Sequence, residues 1–291
     1  MAIIIMVLSG FLASLSNFWL HCTLKKNGSS QNYLLFQFAF SGLFAALLLK
    51  DLNINLLDAL LGCFSGLLMS AMMYCLSMAL QLGPAALTFS MINSVSVFPG
   101  IVFACILGQA FGHAYSYWHG MGALLILMGL FQGSFSDLKS SKHWPLYTLI
   151  ACLLNICFLL LVQWRAMLFK TDLPPSQLIP LHLSPEEGLF FMPCLYLSSM
   201  LFQAFIPKRA SNFQGIEILY SLFGGILSSI GIFFYLQATY FAQATENAII
   251  FPTYCISLII TTNLWSFFLY QEKLDWRANA LSISGIIISQ I

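Results

Sequence analysis

The side chains of this 291-residue chain that could do chemistry are amides and phenols set in long apolar runs. Asn17 and Trp19 fall late in the first run, and Asn155 falls midway along the sixth, its counterpart in the second half. Tyr74 and Tyr235 hold matching places in the third and eighth. Asn93 lies in the fourth, and Tyr254 and Asn263 lie in the ninth. A polar side chain in hydrocarbon is costly unless it faces a partner or a wet cavity. Amides and phenols hold a zwitterion, sugar or purine by neutral hydrogen bonds while rings stack on it. Taken singly, each is explained by an interhelical hydrogen bond of ~0.6 kcal/mol. Taken as a set facing one cavity, these eight residues form a substrate-binding lining.

Acids are scarce where coupling would need them. Glu246, at the start of the ninth run, is the candidate coupling residue. An acid in the first turn of a helix also suits the positive end of its dipole. Glu217 starts the eighth run and Glu272 follows the ninth, both read as interfacial. No acid falls at the middle of a run, so facilitated diffusion or exchange fits better than proton antiport through a central carboxylate. His21, His113, His119, His143 and His182 are scattered near run ends and read as interfacial. Neither H-E-x-x-H, G-x-G-D nor G-x-S-G occurs, so no intramembrane enzyme, no metal and no cofactor is expected. Eight cysteines without a C-x-x-C, nearly all inside apolar runs, argue against a disulfide framework or a zinc site.

The composition says what surrounds these side chains. Hydrophobic residues make up 59% of the chain and charged residues 7%, against about 25% charged in soluble domains. That excludes an ordinary soluble globule and a disordered tail. The net charge of +1 gives no pull on nucleic acid. The expected partners are a small-molecule solute and the lipid bilayer, in a monomer or homodimer. Crossing about 30 Å of hydrocarbon takes about 20 residues of helix. Ten segments qualify: Ala2–Cys22, Tyr33–Leu49, Leu56–Leu80, Ala85–Leu107, Ser116–Ser134, Trp144–Trp164, Gly188–Ile206, Ile216–Phe241, Asn247–Tyr270 and Ala278–Ile291. Met1–Ser16 has no basic stretch before its apolar residues, so it reads as the first spanning helix rather than a cleaved signal. No connecting loop is long enough for a separate domain.

Two further patterns organise the helices. Gly62, Gly66 and Ser70 share a face of the third helix, and Gly224, Gly225, Ser228 and Ser229 cluster on the eighth. Such small faces let backbones approach closely in lipid. Ala86–Phe89 parallels Ala248–Phe251 at a shift of 162 residues, and Gln109 falls on Gln271 at the same shift. Met73-Tyr74 parallels Phe234-Tyr235 with one inserted residue, and Pro99 and Pro252 fall inside the fourth and ninth helices at different depths. Five helices per half is an odd number, so the second half enters the membrane in the opposite direction. The expected fold is an all-α polytopic membrane protein of ten transmembrane helices, in two inverted five-helix repeats, residues 1–137 and 138–291. Inverted repeats are a common plan of secondary transporters, with the site at the repeat interface.

Four stretches resemble the drug/metabolite transporter superfamily, in its EamA-like branch. Ala79-Leu80 followed by Gly83-Pro84-Ala85-Ala86-Leu87 is similar to the family's link between the third and fourth helices. Pro99 with Ile106-Leu107-Gly108-Gln109 resembles its fourth helix, with glutamine where the family has glutamate. Gly120 to Gly129 resembles its fifth. Leu269 to Leu274, with Glu272, and Gly285 to Ile288 resemble the ending of the second half. The resemblance implies a multi-pass exporter, importer or exchanger of small organic solutes in a plasma membrane. Amino acids, nucleoside-like metabolites such as S-adenosylmethionine, and drug-like cations are its substrate classes. The aromatic and amide lining, without buried acids, favours a neutral or zwitterionic one. The resemblance also implies both termini inside. The loops after odd-numbered helices carry Lys25, Lys26, Lys139, Lys142, Lys208, Arg209, Lys273 and Arg277, against Lys50, Arg165 and Lys170 on the other side. That bias places the termini outside, so the two arguments disagree.

Overall fold

The computed structural model describes residues 1–49, 55–95, 97–107, 142–169, 183, 190–206, 215–243, 246–271 and 276–288, with scattered positions between 117 and 129. The rest of the expected fifth helix lies outside the described residues. So do Gln109, Glu272, His113, His119 and His182.

The described helices follow the apolar runs, with ends that shift by a few residues. The described elements are α1 (Ala2–Lys25), α2 (Ser30–Leu47), α3 (Leu56–Leu82), α4 (Ala85–Ser94), α5 (Val97–Leu107), α6 (Trp144–Leu168), α7 (Phe191–Phe205), α8 (Gly215–Phe241), α9 (Asn247–Tyr270) and α10 (Trp276–Ile288). No strand occurs among the described residues. Among the described residues, six stretches are long and apolar enough to cross a bilayer: α1, α3, Ala85–Phe103, α6, α8 and Ile250–Tyr270 within α9. The chain is a multi-pass integral membrane protein. Its surface confirms the solvent: Leu47 and Phe205 are 82% and 85% exposed, whereas Ser9, Gln37 and Asn155 are buried. Apolar side chains outside and amides inside are what lipid demands of a bundle.

Local chemistry sets the ends. α2 begins three residues before the expected Tyr33 because the Ser29 side chain caps it, accepting from Asn32 N at 3.4 Å. Asn55 caps α3 by accepting from Leu57 N and Asp58 N at 3.0 and 3.3 Å. The expected fourth helix divides into α4 and α5. The break falls at Val95, four residues before Pro99, whose ring would strike that carbonyl in a continuous helix. Pro99 instead occupies the first turn of α5, where it has no helical N–H bond to lose. Pro252 sits inside an unbroken α9. Gly83-Pro84, between α3 and α4, is covered by the buried Trp144 ring, which leaves no room for a Cβ on Gly83. Trp144 Nε1 donates to Thr88 Oγ1 at 2.9 Å.

The helices pack across the two halves of the chain rather than within them. α1 packs on α8 and α9, α3 on α6 and α7, α2 on α7 and α8, and α4 on α6 and α9. Exchanging α1 with α6, α2 with α7, α3 with α8 and α4 with α9 carries this set of pairs onto itself. Individual bonds obey the same exchange. Ser199 Oγ on α7 donates to Gly66 O on α3 at 2.8 Å, and Ser41 Oγ on α2 donates to Gly225 O on α8 at 2.9 Å. The small faces expected from sequence are these seams. A Cβ on Gly66 would overlap Leu195 O, and one on Gly225 would stand 2.9 Å from Gln37 O.

Two carboxylates repeat the pattern. Glu217, in the first turn of α8, is fully buried within the protein. It accepts from Ser29 N at 2.6 Å and from Asn32 Nδ2 at 3.0 Å, at the start of α2. Its negative charge suits the positive end of that helix. Asp58, in the first turn of α3, is equally buried and faces the backbone N–H of Phe191 at the start of α7. Arg165, expected in a loop, belongs to the last turn of α6 and donates from Nε to Asp58 Oδ1 at 2.8 Å.

Candidate functional site

A cavity lies at the centre of the bundle, where α1, α2, α3, α4, α6, α8 and α9 meet. Measured at the centres of water molecules its volume is about 90 Å³, and one water needs about 10–15 Å³ on that measure. It therefore has room for a small cluster of waters or a compact solute.

The seams fix its walls. Ser9 Oγ and Ser16 Oγ on α1 donate to Gly231 O and Gly224 O on α8, at 2.7 and 2.8 Å. Those glycines let α1 settle against α8, and both serines reach the cavity. Met69, Met72 and Met73 line the α3 side, at the helical spacing that puts three thioethers on one face. Phe89 and Phe158 bring rings from α4 and α6. Among the described residues, no Asp, Glu, Lys, Arg or His lines the cavity.

Five of the eight residues expected to bind solute line this cavity: Asn17, Asn93, Asn155, Tyr235 and Tyr254. Three do not. Trp19 stacks on Phe223 at 5.3 Å and packs against Tyr220, away from the centre. Tyr74 lines a different cavity at one end of the bundle. Asn263 is buried on α9 and is not part of this cavity's lining, and its Oδ1 has no partner among the described residues. Glu246 also lies outside, just before α9, where Oε2 accepts from Gln243 N at 3.0 Å.

The amides are held in one sense by their partners. Asn93 Nδ2 donates to Phe89 O and Asn155 Nδ2 to Ile92 O, both at 2.7 Å. A carbonyl only accepts, so each amide must present its NH₂ there. Gln37 Nε2 donates to Ser16 Oγ at 2.9 Å. The Ser16 proton is already committed to Gly224 O, so Gln37 too must offer its NH₂. Gln37 Oε1 is buried with no partner among the described residues, and so is the Tyr235 hydroxyl. The Tyr235 ring stands 5.2 Å from that of Tyr254. Gln37 escapes the sequence expectation, although a glutamine between Phe36 and Phe38 in an apolar run is the same kind of signal as Asn155.

Two more cavities flank the centre. One, about 510 Å³ on the same measure, is lined by the ends of α1 and α3 and the start of α2, including Lys25, Ser30, Tyr74 and Gln81. The other, about 180 Å³, is lined by the ends of α2, α6 and α8 and the start of α7, including Leu49, Arg165, Met192 and Tyr240. The helix exchange relates their linings. Along α2 the order is Ser30 in one end cavity, Gln37 in the centre, and Ala45 to Leu49 in the other.

No family model and no curated protein matches the sequence. Solved structures do match. One, a crystal structure of a protein, aligns with 98% of this chain and 95% of its own at a TM-score of 0.60 and 16% identity. The likeness is one of fold.

Proposed function

We propose that this chain is a secondary transporter of the EamA-like branch of the drug/metabolite transporter superfamily. It moves a small organic metabolite across the membrane by alternating access, as facilitated diffusion or exchange. Residues 1–137 and 138–291 form two inverted five-helix repeats around the solute. The exchange of helix partners, and the Ser199–Gly66 and Ser41–Gly225 bonds that obey it, support the repeats.

One observation carries the transport reading: a central cavity with unpartnered polar atoms stands between two end cavities along a single helix. Buried polar atoms without partners cost about 1–3 kcal/mol each in a folded protein. A solute that binds them recovers that cost. In the proposed cycle the solute enters one end cavity, passes to the centre, and leaves by the other as the halves rock. The glycine seams between α3 and α7 and between α2 and α8 are where the halves slide.

The test is purified protein in liposomes, loaded with one metabolite pool and supplied with labelled solutes outside. Saturable uptake that internal solute accelerates is the expected result. A full panel without flux refutes the reading and leaves a membrane scaffold.

A further inference from the structure

We infer that Cys63 and Cys194 form a redox-active dithiol at the α3–α7 seam, which a small apolar disulfide oxidises to a bond tying the two halves of the chain together. The site stands on the packing of the seam. Only its consequence for flux rests on the transport reading.

A disulfide bridges backbones whose Cα atoms are about 4.4–6.8 Å apart, so it suits only helices in close contact. The α3–α7 seam brings backbones together at these residues. A Cβ on Gly62 would stand 2.5 Å from Phe191 O and 3.0 Å from Cys194 Cβ, and one on Gly66 would overlap Leu195 O. Cys63 directly follows Gly62. The thiols of Cys63 and Cys194 hydrogen-bond to each other across the seam, and both are free of disulfides. Cys75, Cys152 and Cys255 are buried and pack as small hydrophobes, whereas Cys63 and Cys194 are half-buried. Their neighbours Leu60, Phe64 and Leu197 are exposed, so the pair sits on the lipid-facing flank of the seam.

Depth favours reaction there. The 27 residues of α3 extend about 40 Å, against about 30 Å of hydrocarbon. Its first turns therefore reach past the apolar core. Cys63 lies two turns from the start of α3, and Cys194 lies in the first turn of α7. At that boundary a thiol can lose its proton to water and an apolar reagent can arrive from lipid. The related seam has no such pair. The exchange that takes Ser199 and Gly66 to Ser41 and Gly225 takes Cys194 to Phe36 and Cys63 to Leu222. Oxidation fastens one seam and leaves the other as it was.

The reaction is thiol–disulfide exchange in two steps. Cys63 gives its proton to water, and its sulfur attacks one sulfur of the reagent. The reagent's S–S bond breaks and one reagent thiol leaves. Cys194, deprotonated in turn, attacks the Cys63 sulfur of the mixed disulfide and expels the second reagent thiol. Two protein thiols are oxidised and one reagent disulfide is reduced to two thiols. Because Cys194 is already in place, the second step outruns attack on another reagent molecule.

The probe is 4,4′-dithiodipyridine, an apolar disulfide, given to the full chain in liposomes. Trypsin sites at Lys139 and Lys142 then separate the halves. The expected product is a fragment pair joined through Cys63 and Cys194, identified by mass spectrometry and released by dithiothreitol. Cys63→Ser or Cys194→Ser lowers the joined fraction at least about tenfold, and Cys194→Ser leaves a pyridylthio group on Cys63. Pyridylthio groups retained on both cysteines of the native protein, with no joined fragment, overturn the inference. So does a Cys63 and Cys194 pair left untouched while the exposed Cys157 reacts. Solute exchange is scored separately. On the transport reading the joined protein loses exchange and dithiothreitol restores it. Joined protein that exchanges as fast as reduced protein leaves the dithiol standing and refutes sliding at this seam. Protein without any flux refutes transport, and the joined fragment still decides the dithiol.

Discussion

Replacing Arg165 with Met should destabilise this protein more than replacing both members of its ion pair. Asp58 is fully buried, and its Oδ2 has no hydrogen-bond partner among the described residues. The Arg165 Nε bond at 2.8 Å is thus a main compensation for a carboxylate withdrawn from water. Removing one partner of a buried pair costs about 3–5 kcal/mol, chiefly through the charge left behind. Arg165 also lies over Phe191 and Phe169, at 4.3 and 4.7 Å from the ring centres. Methionine keeps part of that packing, so the cost of Arg165→Met comes mostly from Asp58. In the double variant Asp58→Asn/Arg165→Met no buried charge remains, and the asparagine oxygen still faces the Phe191 N–H. Its stability should return to within about 1 kcal/mol of the native protein, since neutral replacements of buried pairs are often tolerated. Unfolding by SDS titration in mixed micelles gives the three free energies. A double variant as unstable as Arg165→Met would refute the account, as would a single variant within about 1 kcal/mol of native.

Other substitutions probe the seams. Gly66→Ala should cost about 1–3 kcal/mol by overpacking and more than Gly225→Ala. The first Cβ meets a backbone carbonyl and Ser198 Oγ more closely than the second meets Gln37 O and Phe40 Cβ. The same titration ranks them, and the reverse order would contradict the seam geometry. Glu217→Gln removes one of two acceptor oxygens, so Ser29 N or Asn32 Nδ2 loses its partner. The expected cost is about 1–3 kcal/mol, with faster amide hydrogen exchange at the start of α2; unchanged exchange there would sink the capping role. Ser41→Ala and Ser199→Ala should each cost about 0.6 kcal/mol and add in the double variant. Clearly unequal costs would show that the two bonds are not equivalent.

Most of the architecture could be read from hydropathy, because lipid leaves a spanning chain few alternatives to helix. α9 has the expected bounds, and α3 and α8 differ from expectation by one or two residues. The misjudged ends turn on side chains that act one at a time. Ser29 extends α2 upstream, and Pro99 divides the fourth helix at a carbonyl four residues earlier. The lining was legible where an amide stood inside an apolar run, as at Asn93 and Asn155. Trp19 and Tyr74 share that composition but face Phe223 and an end cavity, because rotation about a helix axis is set by packing that one chain of letters does not display. Glu217 reads from sequence as interfacial and Arg165 as a loop residue, and nothing in the pattern singles out Asp58. Their burial depends on partners more than a hundred residues away.

The two carboxylate fastenings occupy exchanged positions but are not chemically alike. One is an ion pair between Asp58 and Arg165, whereas Glu217 is held by neutral donors, and nearby Lys26 turns to the Tyr220 hydroxyl. Were the halves identical, a conformer open at one end would be the mirror in energy of its opposite, and the two would be equally populated. Only positions that change identity under the exchange can lift that degeneracy. On the transport reading, then, the preferred resting side of the membrane is encoded in such mismatches, and substituting them would reverse the bias without touching the binding chamber.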